Sequence, residues 1–65
     1  MWLRFNMLSD GREVMINMDN CVSIYASTDP DGNVTGSVIF EGGEDGGQWR
    51  VRGTPDDIMD RIYGV

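Results

Sequence analysis

Thr54-Pro55-Asp56-Asp57-Ile58-Met59-Asp60-Arg61-Ile62-Tyr63-Gly64-Val65 is the stretch that decides the fold of this 65-residue chain. Thr54 offers a hydroxyl as an N-cap. Pro55 suits the first helical position, where its missing N–H is not needed, and Asp56 and Asp57 lie at the positive end of the helix dipole. Thr54 and Asp57 have the spacing of a capping box, with aspartate in place of the usual glutamate. Ile58, Met59 and Ile62 form an apolar stripe, Tyr63 flanks it, and Gly64 is a stop signal. Residues 55–63 are therefore expected to be a helix, and everything before them reads as strands and tight turns.

Working back from that helix, Gln48 to Arg52 reads as a strand with Trp49 and Val51 inward and Arg50 and Arg52 outward. Glu41-Gly42-Gly43-Glu44-Asp45-Gly46-Gly47 reads as a flexible acidic loop. A hairpin precedes it, turning at Asp29-Pro30-Asp31-Gly32-Asn33. Proline favours the first centre of a type I turn, and glycine the left-handed bulge residue after it. This loop sets Asp29 opposite Asn33, and would pair Ile24 with Val38 and Val22 with Phe40. The first hairpin turns at Asp10-Gly11, a preferred type I′ pair. A two-residue turn there sets Ser9 opposite Arg12 and pairs Met7 with Val14, Phe5 with Ile16 and Leu3 with Met18. The expected fold is mainly β (α+β). It is a single domain over residues 1–65, a five-stranded antiparallel meander or SH3-like partial barrel with one short C-terminal helix.

Composition limits what such a domain can do. A chain this short buries only about 60% of the surface its unfolded form exposes, so its core is marginal and association is the obvious supplement. The net charge is −6, with neither lysine nor histidine. An acidic balance disfavours phosphate backbones and anionic membrane surfaces, and the missing histidine removes the commonest general base and zinc ligand. A single cysteine, Cys21, allows no internal disulfide and fits a reducing compartment, so a cytoplasmic location is expected. Arg4 and Asn6 interrupt the first apolar run, which argues against a signal peptide. No apolar run approaches the roughly 20 residues of a membrane span.

Each candidate for chemistry has a plainer structural explanation. Asp29, Asp31 and Asn33 have the spacing that opens a calcium loop. Val34 stands where that loop's glycine belongs, however, and Phe40 where its bidentate glutamate belongs, so a turn is preferred. The glycine-rich loop lacks the lysine and spacing of a phosphate loop. Asp56, Asp57 and Asp60 are explained by helix capping and solvation, and Cys21 has no histidine to activate it. Arg4, Arg50 and Arg52 near Trp2 form a nucleic-acid-like pairing, but on a chain of net charge −6 ion pairs with Glu13, Glu41 or a partner are preferred. No catalytic residue, cofactor or metal is expected. The remaining feature is the outer face, where Trp2, Leu8, Met15, Tyr25 and Ile39 fall opposite the expected core. Either the sheet is covered on both sides, or these residues mark an interface.

Gly11, Glu13, Ile16-Asn17, Asp19 and Ile24 follow an opening strand. Val51-Arg52-Gly53-Thr54-Pro55-Asp56-Asp57-Ile58-Met59-Asp60-Arg61-Ile62 ends the chain without a gap. In these two stretches, residues 3–25 and 51–62, the sequence resembles the small bacterial flagellar proteins called FlbD, or SwrD in swarming bacteria. It departs from them in a longer middle, Ser27 to Gln48, and in having no lysine. The resemblance implies a cytoplasmic accessory protein acting on the flagellar motor or its assembly, and it carries over no binding residues. The function expected is thus a non-enzymatic protein-interaction module that forms a homo-oligomer or docks on another protein, without nucleic acid or membrane insertion. The alternative is a phage or prophage small protein acting as an inhibitor or as an acidic nucleic-acid mimic, its carboxylates imitating phosphates.

Overall fold

A computed structural model describes residues 1–44 and 46–64. Asp45 of the acidic loop and the terminal Val65 lie outside the described residues. Five strands, a 3-10 turn and one helix follow in order: β1 (Trp2–Asn6), β2 (Glu13–Asn17), the turn Met18–Asn20, β3 (Cys21–Thr28), β4 (Val34–Glu41), β5 (Gln48–Val51) and α1 (Pro55–Tyr63). The strands form two antiparallel sheets, β1-β2 and β3-β4-β5. A bridge between Met7 and Val51 joins them, closed by the bonds Leu8 N–H to Arg50 O and Arg52 N–H to Asn6 O, both 2.9 Å. The fold is the small mainly-β meander with a terminal helix that the sequence implies.

That bridge changes the first hairpin. Leu8 bonds to β5, not β2, so it leaves the β1–β2 ladder. Met7 N–H donates to Arg12 O at 2.8 Å, enclosing a four-residue loop, Leu8 to Gly11, in place of the expected two-residue turn. Gly11, at φ +76°, supplies the left-handed residue, and Asp10 Oδ1 accepts from Arg12 N–H at 2.9 Å. Phe5 now faces Val14 and Leu3 faces Ile16. The register has slipped by two residues, which keeps every side chain on its expected face.

In the second hairpin the loop is as expected, with Asp29 N–H bonded to Asn33 O at 2.9 Å. One residue later the ladder changes register. Thr28 pairs with Val34 but Ser27 with Gly36, so Thr35 is the extra residue of a bulge. Its insertion turns β4 over. Ile24 faces Ile39, not Val38, and Ile39 also faces Trp49. Ile39 is therefore fully buried, which corrects its placement on the outer face. A second bulge lies between Cys21 and Ser23. There Val22 is the extra residue, so it is exposed while Cys21 packs on the core.

The core is Phe5, Ile16, Met18, Ile39, Val51 and Ile58, with Leu3, Met7, Val14, Ile24, Trp49 and Ile62 packed against it. Ser37, buried among them, donates its hydroxyl to Gly53 O at 2.7 Å, which satisfies its one polar group. Gly36 has no alternative, because a Cβ would stand 2.3 Å from Val51 O. The helix closes this core as its sequence implies. Thr54 Oγ1 accepts from Asp57 N–H, Asp57 Oδ2 accepts from Thr54 N–H, both at 3.2 Å, and Gly64 caps the far end at φ +71°. Arg61 pins α1 to β1, its guanidinium 4.7 Å from the centre of the Phe5 ring and bonded to Arg4 O at 2.7 Å. Met59, expected in the buried stripe, is 38% exposed.

Candidate interaction surfaces

Among the described residues, outward apolar side chains gather on three surfaces. On the first hairpin, Trp2 and Met15 are 63% and 49% exposed and are diagonal neighbours, since Trp2 faces Asn17 and Arg4 faces Met15. Arg4 Nε reaches Glu13 Oε1 at 3.7 Å. That is the ion pair expected, and being exposed it is worth little.

The second surface is the outer face of β3-β4-β5. Turned over by the Thr35 bulge, β4 sends Val38 and Phe40 to this side, where Val38 is buried and Phe40 half-buried. Tyr25 stands edge-on to Phe40, with ring centres 5.4 Å apart at 90°. Tyr25 remains 60% exposed. Leu8 is half-buried beside Gly36 and lines a shallow recess with Met7, Ser9, Gln48 and Arg50. Of the five residues expected to share an exposed face, Ile39 is in the core. Trp2 and Met15 lie on β1 and β2, and Tyr25 lies at the other end of the strand order.

The third surface is one the sequence did not suggest. Where β3 begins, its edge and the helix enclose a groove of about 450 Å³, lined by Cys21, Val22 and Ile24 on one side and Met59, Ile62 and Tyr63 on the other. Val22 and Tyr63 are 69% and 70% exposed. Alternation placed Val22 inside and helical spacing placed Met59 inside, so neither was expected at the surface. The one signal in the sequence was the composition of Cys21–Thr28, which contains no charged residue and no proline.

The polar candidates serve local structure. Asp29 Oδ1 accepts from Asp31 N–H and Asn33 N–H, both at 2.9 Å. These backbone donors, Asn33 foremost, hold its carboxyl below the ordinary range. Asp57 is in the capping box. Burial pushes the Cys21 thiol up from its ordinary value, making it a poorer nucleophile at neutral pH. The guanidinium of Arg52 lies against Gly11. The residues that carry the flagellar resemblance also have structural work. Gly11 makes the turn, Glu13 pairs with Arg4, Ile16 and Val51 are core, and Asn17 Oδ1 caps the 3-10 turn at Asp19 N–H, 3.1 Å away. No family model, curated protein or solved structure matches the chain. Among the described residues no helix is long and apolar enough to cross a membrane.

Proposed function

We propose that this chain is a non-enzymatic protein-interaction module that associates with itself. The observation that carries this reading is the outward apolar surface. Trp2, Val22, Tyr25 and Tyr63 are each 60% exposed or more on a chain of 65 residues. Val22 and Tyr63 line one groove; clustered apolar exposure of that kind marks interfaces, and a marginal core gives association a stabilising role. The half-buried, unpaired Cys21 thiol fits a reducing compartment, so the proposal assigns the module to the cytoplasm. The family version of the proposal is a flagellar accessory protein, resting on the two stretches of sequence resemblance alone.

The nucleic-acid mimic is the weaker reading, because Asp10, Asp29 and Asp57 direct their carboxylates at their own backbone. Sedimentation velocity over a concentration series tests the proposal. A mass that rises from one chain to two or more supports it, and a single-chain mass at millimolar concentration contradicts it.

A further inference from the structure

The two ends of the strand order are treated differently by this chain. Sheet ends are normally protected by shortness, charge, proline or twist, because their free N–H and C=O groups recruit further strands. β2 is five residues long and carries Glu13, paired to Arg4. β3 is eight residues long, Cys-Val-Ser-Ile-Tyr-Ala-Ser-Thr, and carries no charge and no proline. Among the described residues it is bonded to a strand, β4, on one edge only. Its register shifts lie at its ends, between Cys21 and Ser23 and between Ser27 and Thr28, leaving Ser23–Ser27 regular. Beside its start runs the apolar groove under Met59 and Tyr63.

We infer that β3 pairs antiparallel with β3 of a second copy, across a two-fold axis at Tyr25, to make a continuous six-stranded sheet. This rests on the self-association proposed above and names its surface. Centring on Tyr25 pairs the regular stretch wholly with itself. Tyr25 faces Tyr25, Ser23 faces Ser27, and Ile24 faces Ala26, large against small. Ile24 lies on the face of Ile39, so the second copy's strand sets Ala26 beside Ile24 and Thr28 beside Val22 at the rim of the groove.

Charge selects the same occupant. Two copies of net charge −6 repel wherever acids meet, and β3 with its groove is an uncharged seam that offers no counter-charge to a basic or acidic partner. A two-fold at Tyr25 pairs the five regular residues Ser23–Ser27, which at about 3.4 Å each give a seam of about 17 Å.

The test is a charge swap at the axis, read by sedimentation and by mixing. Tyr25→Lys and Tyr25→Glu each place like charges face to face, and each weakens the dimer on the order of tenfold or more. An equimolar mixture of the two restores a dimer, because residue 25 faces itself only across a two-fold. Glu13→Gln, on β2 at the far end of the strand order, leaves association unchanged. Circular dichroism melts of all three variants confirm folding. Wild-type association tightens with added salt, as repulsion between the acidic copies is screened. Dimers that survive Tyr25→Lys, or a mixture that stays monomeric, overturn the β3 pairing while self-association stands. A wild-type monomer at millimolar concentration overturns both, and β3 found covered only by a different protein overturns the β3 pairing.

Discussion

Ile39→Ala set against Tyr25→Ala is the sharpest probe of the interior. The loop Asp29–Asn33 alone would put Ile39 outside; the Thr35 bulge turns it onto the core face and moves Val38, still buried, to the opposite face. Ile39 is 0% exposed and sits between Ile24 and Trp49. Truncating it removes three buried carbons and leaves a cavity in the core, so the cost is about 2–5 kcal/mol. A domain of this size has about 3–10 kcal/mol of stability in total, so the variant is close to unfolding. Ile39→Val, at about 1 kcal/mol, keeps the position measurable. Tyr25 is 60% exposed and loses mainly its edge contact with Phe40, a loss of about 0.5–1.5 kcal/mol. Urea unfolding at a concentration low enough to hold every variant monomeric gives both values, with an unchanged m-value as the sign that the two-state comparison holds. If Ile39→Ala costs no more than Tyr25→Ala, Ile39 is a surface residue and the bulge is wrong.

Other expectations come from single contacts. Thr54→Ala removes one half of the capping box and lowers stability by about 1 kcal/mol in the same urea assay. Gly36→Ala drives a methyl group against Val51 O, a backbone atom that cannot swing away, and is expected to cost about 1–3 kcal/mol or to open the β4–β5 ladder, visible as lost amide protection. Asp29 has a depressed carboxyl pKa when folded. Its contribution is therefore present above the unfolded value of about 3.9 and disappears as pH falls through the lower folded value. Asp29→Asn keeps the acceptor but not the charge, so thermal melts between neutral pH and pH 2 lose less stability on acidification than the wild type does.

Where the sequence was legible, one local interaction decided the outcome. Helix α1 occupies Pro55–Tyr63 because cap, proline, acids and terminal glycine agree within one short stretch. The Asp29–Asn33 loop is set by proline and glycine in the same way. The misreadings share a different cause, a single residue inserted or redirected by tertiary contacts. Thr35 and Val22 are β-branched residues that fit a regular strand, so nothing local marks them as bulged, yet each reverses the facing along its strand. The Asp10-Gly11 turn widened because Leu8 is drawn off by Arg50, a partner on β5 that hairpin chemistry cannot foresee. Hence four of the five expected outward residues are accessible or half-accessible, Ile39 is not, and the groove beside β3 is not legible in the sequence because alternation places its rim residue Val22 in the core.

Amide hydrogen exchange in β3, followed from micromolar to millimolar protein, tests the central claim most directly. Pairing between copies predicts that alternate amides along Ser23–Ser27, those on the edge away from β4, slow as concentration rises, while β2 amides keep their rates. Exchange in β3 that is the same at both ends of that range would contradict it.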